Sequence, residues 1–197
     1  MQQVILASAS KQRKAFLELF AIPFITIPAN VDEKVIQDPN PTVRVEKLAR
    51  AKAEKVASEH TGIIIAGDTF VVCQNRVLEK PMDREEAKEM MEVLSGNTGA
   101  VYTGFCYIDT MHAINFSTAV VIPTVFRKFA KQEIDDFVHL FPVTTWAGGI
   151  SPAYPYGSTL IAEINGSFTG FMYGLPVEFL LPCLEKSGIP VTVRRTS

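Results

Sequence analysis

Ile63-Ile64-Ile65-Ala66 is apolar at every position. Side chains of a strand alternate between two faces, so a run of this kind demands cover on both. Similar runs alternate with helix-patterned segments along the chain, which predicts an α/β fold, a mixed twisted sheet flanked by helices. Strands are expected at Val4–Ala7, Phe24–Ile27, Ile63–Ala66, Val101–Ile108 and Ile114–Pro123. Gln74-Asn75 joins Phe70–Cys73 to Arg76–Leu78 as a hairpin, and Asn165-Gly166 predicts another between Leu160–Ile164 and Phe168–Met172. Helices are expected over Lys11–Phe20, from Asn40-Pro41 to Glu59, from Asp83 to Leu94, over Lys131–His139 and over Val177–Ser187. Gly188 ends the last of them, and Phe141–Ser158 reads as one long loop.

The chain has 197 residues, 47% hydrophobic, which suits one domain with room for two lobes around a central cleft. Its net charge of −2 provides no basic field for a nucleic acid polymer, but leaves room for a small anion held by a local cluster. Cys73, Cys106 and Cys183 form no CxxC pair, and are expected as buried thiols of a reducing compartment. No apolar stretch is long enough to span a membrane, and the first apolar run breaks at Ser8 with basic residues after it. A soluble, cytoplasmic protein is expected.

Several residues do not fit simple packing. Lys11, Arg13 and Lys14 crowd the start of the first helix, where the backbone already presents positive charge. A polyphosphate resting on that helix start would reconcile them; solvated surface cations are the plainer alternative. On the helix that follows Pro41, Val45, Leu48, Ala49 and Val56 form an apolar stripe. Lys52 falls about −20° from Val45, inside that stripe. An ammonium there must find an anion or snorkel to the edge. Asp68 ends the Ile63–Ala66 strand behind Gly67, placed for metal or water chemistry or for a simple turn with Thr69. Asp32, Glu33 and Lys80 sit in loops, where solvation is the ordinary outcome.

Taken in order, these segments resemble the Maf family, the septum-formation-inhibitor-like proteins, over nearly the whole chain. The segments are ILASASKQR, VDE, LARAKA, GDT, EKPMD, LSGNTGAVYTG and INGSF followed by GLP. The resemblance implies an inosine-triphosphatase-like (Maf-like) fold and a nucleoside triphosphate pyrophosphatase that needs Mg²⁺ or Mn²⁺. It implies Asp68 as the base that activates water or as a metal ligand, with Glu33 as its acidic partner at the metal. It implies Arg13, Lys52 and Lys80 as phosphate-neutralising cations and Ser8, with Ser10, at the phosphate loop. Thr69 and Arg13 occupy positions linked to substrate choice. The partner is then a nucleoside triphosphate, and a homodimer is common in the family. His60, His112 and His139 are expected to take no part in catalysis.

The departures cluster in TTWAGGISPAYPYG. Thr145 and Trp146 stand where the family carries an acid and a lysine, and Ala153 or a neighbour stands in place of a base-reading glutamine. Gly170 replaces a common asparagine. The phosphate and metal half is intact, while the nucleobase half is rebuilt, which implies altered selectivity. Trp146, Tyr154 and Tyr156 offer stacking faces or ordinary packing. The competing expectation is a catalytically weakened nucleotide-binding or regulatory protein.

Overall fold

The computed structural model describes residues 2–191. Its seven-stranded mixed sheet has the order β2-β1-β3-β5-β6-β7, with β4 beside β3. In chain order the elements are β1 (Val4–Leu6), α1 (Lys11–Leu17), β2 (Phe24–Thr26), α2 (Pro41–Ala57), β3 (Ile63–Cys73), β4 (Arg76–Leu78), α3 (Arg84–Leu94), β5 (Thr98–Asp109), β6 (Ile114–Phe126), α4 (Lys131–Leu140), α5 (Pro155–Ser158), β7 (Ile161–Ile164), α6 (Phe168–Tyr173) and α7 (Val177–Lys186). β1 runs parallel to both β2 and β3, whereas β4 and β7 are antiparallel to β3 and β6. The chain forms two compact units. Among the described residues the first comprises 2–68, 103–120 and 173–191, and the second comprises 69–102 and 121–172.

In the first unit the strands alternate strictly. Val4, Leu6, Ile63, Ile65, Phe105 and Tyr107 pack with Phe16 and Leu17 of α1 and Leu180 and Leu184 of α7. Ile5, Ala7, Ile64, Ala66 and Cys106 pack with Ala49, Ala53 and Val56 of α2. The all-apolar run is therefore covered on both faces, as its sequence demands. α2 is capped by Asn40, whose side chain accepts from the Thr42 N–H at 2.9 Å. It approaches β5 so closely that a Cβ on Gly104 would lie 2.1 Å from the Val45 carbonyl oxygen. Cys73, Cys106 and Cys183 are free and buried, and burial pushes the Cys106 thiol up to about 12.

Three expectations need correction. Asp68 does not end a strand: Ile63–Ala66 and Phe70–Cys73 are one continuous strand, β3, with Gly67, Asp68 and Thr69 inside it. Phe168–Met172 is not a strand. Gly166 takes φ +128°, the Ser167 hydroxyl accepts the Gly170 N–H at 3.1 Å, and the chain turns into α6. A serine cap thus overrides the Asn-Gly hairpin signal. The long loop expected at 141–158 contains 3₁₀ turns at Val143–Thr145 and Ala147–Gly149, followed by α5. The Gln74-Asn75 hairpin is present without glycine, both residues adopting positive φ.

In the second unit Arg127 and Tyr156 both bond to Glu133 of α4, the phenol at 3.0 Å. Mainly through the Arg127 hydrogen bond, this holds the Glu133 carboxyl down at about 2 against an ordinary 4.5. Among the described residues no helix is long and apolar enough to cross a membrane.

Two outcomes are expected. Gly104→Ala forces α2 from β5 and costs about 2 kcal/mol or more, read as a lower urea midpoint. Glu133→Gln costs about 1 to 2 kcal/mol at neutral pH. Because the folded carboxyl titrates below the unfolded one, its contribution is full above about 4.5 and disappears as pH falls toward about 2. The gap in melting temperature between wild type and variant should therefore narrow on acidification across that window.

Candidate active site

β3 continues through Gly67 and Asp68 to Cys73, and its alternation decides which way each of these two mid-strand residues faces. Asp68 shares the parity of Ile64 and Ala66 and so belongs to the face that α2 covers. Lys52, in the apolar stripe of α2, is on that face too. Its Nζ donates to Asp68 Oδ1 at 2.5 Å and lies 2.9 Å from Glu33 Oε1. The Lys52 and Asp68 side chains are only 12% and 11% exposed, whereas that of Glu33 is half-exposed. Of the two outcomes the helix pattern left open, an anion or snorkelling, the structure shows anions, and the protein itself supplies them.

Gly67 has the opposite parity, toward α1 and α7, and there Arg13 is buried. Its Nε donates to the Gly174 carbonyl and its Nη1 to Ser8 Oγ, both at 3.1 Å. A Cβ at Gly67 would lie 2.8 Å from that carbonyl and 3.0 Å from Arg13 Nε. Glycine is what leaves the guanidinium its place. Burial lowers the Arg13 pKa from its ordinary value, while the charges of Asp68 and Glu33 oppose that shift. Ser10 caps α1 by accepting the Arg13 N–H at 3.3 Å, so that donor is already engaged. Of the three cations at this helix start, Arg13 alone turns inward. Lys11 and Lys14 are exposed, and Lys14 pairs with Glu18 at 3.9 Å.

Ser8, Ser10, Arg13, Glu33, Lys52 and Asp68 all belong to the first unit. Thr69, half-buried, and Lys80, exposed before Pro81, belong to the second. In that unit Trp146 is buried, with its ring centroid 4.6 Å from Tyr154 and 6.3 Å from Phe137. Tyr156 stacks on Phe141 at 6.1 Å. The packing role of Trp146 is therefore the one observed. His112 pairs with Asp109 at 2.7 Å in the β5–β6 turn.

Arg44 was not singled out by the sequence pattern. It is buried, and its Nε donates to the Ile36 carbonyl at 3.2 Å. Ile36 closes the 3₁₀ turn Glu33–Val35 through its own N–H to the Glu33 carbonyl. Lys47 ties the same segment through Asp38 at 2.8 Å. Glu33 is thus held to the helix that carries Lys52. The available signal was spacing: Arg44, Leu48 and Lys52 lie four apart on one ridge.

Among the described residues no three His, Cys, Asp or Glu side chains gather as a metal cluster. The carboxylates of Glu33 and Asp68 nevertheless converge on one cation, the Lys52 ammonium. Two carboxylates suit Mg²⁺ or Mn²⁺, which take water and substrate phosphate for their remaining positions. The residues present fit such an ion.

The chain is thus an α/β protein whose first unit combines a buried arginine with an acid–lysine–acid cluster. The family model described as "Maf-like protein" matches residues 3–187. A dTTP/UTP pyrophosphatase of Bacillus cereus strain G9842 is 35% identical over 193 residues, covering 98% of this chain and 99% of that protein. One from Syntrophus aciditrophicus strain SB is 34% identical over 188 residues, covering 95% and 91%. A solved structure of a HAM1 protein from Coxiella burnetii aligns at a TM-score of 0.49 and 14% identity, covering 94% of this chain and all of that one. The chain belongs to the Maf-like protein family.

Arg44→Met should cost about 1 to 2 kcal/mol by removing the donor to the Ile36 carbonyl. A urea titration beside Arg44→Lys checks this, the lysine restoring only part of the loss because it lacks the guanidinium fork.

Proposed function

We propose that this protein hydrolyses a nucleoside triphosphate to the monophosphate and pyrophosphate, with dTTP and UTP as the first substrates to consider. The observation that carries this is the meeting of Glu33, Lys52 and Asp68 in the unit that also buries Arg13. The near-full-length match to relatives named dTTP/UTP pyrophosphatase supports an enzyme over a binding protein.

Water attacks the α-phosphorus. The bond from the water oxygen to phosphorus forms, the bond from phosphorus to the α–β bridging oxygen breaks, and pyrophosphate leaves with that electron pair. Asp68 takes the proton of the attacking water. Arg13, fixed by Ser8 and Gly174, and Lys52 set positive charge against the phosphoryl oxygens. Ser8 and Ser10 line the turn that receives the phosphates. A divalent cation on Glu33 and Asp68 would add charge stabilisation for the leaving group. Lys80 and Thr69 are assigned to substrate on the family resemblance alone. Nucleotide supply and the three free thiols support the cytoplasm as its place of action.

The test is phosphate release from dTTP and UTP with Mg²⁺ or Mn²⁺, with and without added inorganic pyrophosphatase. Phosphate is expected only with the added enzyme. Asp68→Asn should lower kcat about a hundred- to ten-thousandfold. Unchanged turnover in that variant would remove Asp68 from the chemistry, and phosphate without the added enzyme would place the cut at another bond.

A further inference from the structure

Glu33, Lys52 and Asp68 come from a 3₁₀ turn, a helix and a strand, yet both carboxylates end on the single atom Lys52 Nζ. Resting on the functional reading above, we propose that Lys52 is the resident counter-ion of the metal position. The ammonium and the divalent cation compete for Glu33 and Asp68, and Lys52 gives up the carboxylates when a polyphosphate offers it another anion.

Charge and burial both lead there. Glu33 and Asp68 bring two negative charges, and Lys52 and Arg13 bring two positive, so the cluster is neutral as it stands. A divalent cation arriving alone adds two positive charges in a setting where Arg13 is already desolvated. It must also expel an ammonium whose side chain is only 12% exposed and so has little access to water. A triphosphate removes both obstacles at once, because it neutralises the added charge and accepts Lys52. Metal and nucleotide therefore bind with positive coupling, each raising the affinity for the other by the same factor. The same exchange releases Asp68 Oδ1 from Lys52, so the carboxylate is freed for its task only when substrate is present. Lys52 thus has two successive partners, carboxylates in the empty site and phosphate in the filled one.

The experiment is a calorimetric titration with Mn²⁺ alone, without nucleotide. The samples are wild type, Lys52→Met and Lys52→Met/Asp68→Asn, each verified as folded by circular dichroism. Lys52→Met should bind Mn²⁺ at least about tenfold more tightly than wild type, and the second substitution should abolish the gain. Equal or weaker Mn²⁺ binding by folded Lys52→Met overturns the proposal. Should that variant not fold, the wild type decides through the side-chain ¹⁵N signal of Lys52. Little change with Mg²⁺ alone and a clear shift with Mg²⁺ plus a non-hydrolysable triphosphate support the exchange; the same full shift with Mg²⁺ alone overturns it. Tighter Mn²⁺ binding in Lys52→Met from a protein that never releases pyrophosphate would support the competition and remove the functional reading.

Discussion

An ammonium in the apolar face of a helix has to be answered by an anion, and Lys52 is such an ammonium. Its side chain is largely buried, and its charge is met by Asp68 and Glu33. That need ties three segments distant in the chain to one point. The close approach of α2 over Gly104 and the small side chains of Ala49 and Ala53 bring the helix near the strands. The parity of β3 turns Asp68 toward it. A shift of one residue in that strand would put Gly67 under α2 and Asp68 on the side of α1 and α7.

The opposite face uses a different cation in a different way. Arg13 stays charged where a lysine would more readily lose its proton, and its planar fork serves two acceptors, the Ser8 hydroxyl and the Gly174 carbonyl. Room for it comes from the missing side chain at Gly67. Two adjacent positions in the middle of β3 therefore serve both cations, with a carboxylate toward one face and an absent Cβ toward the other. Arg13 donates to a hydroxyl and a carbonyl, whereas Lys52 is bound to carboxylates.

The segment expected to depart from the family pattern has a physical logic of its own. Trp146 is enclosed by Phe137, Phe141 and Tyr154, and Tyr156 is fixed by stacking on Phe141 and by its bond to Glu133. Gly148 takes φ +64° and donates its N–H to the Glu79 carbonyl at 2.9 Å. Of the aromatic residues that looked like a stacking surface, Trp146 is spent on the interior of its own unit, whereas Tyr154 is half-buried and Tyr156 exposed.

Local pattern was enough to determine the covered strand, the capped α2, the glycine-free hairpin and the placement of Lys52 in an apolar stripe, because each depends on periods of two or 3.6 residues and on nearby hydrogen bonds. It also left Lys52 either to find an anion or to snorkel to the edge. It could not tell Phe168–Met172 from a strand, since a short apolar run fits either state until Ser167 caps it. Nor did it reveal Arg44, which is buried because the turn carrying Glu33 folds back onto α2. Which carboxylates answer Lys52, and which of three neighbouring cations turns inward, was decided by the tertiary structure alone. Both depend on which helix covers which face of β3, and that choice is made by packing between residues far apart in the chain.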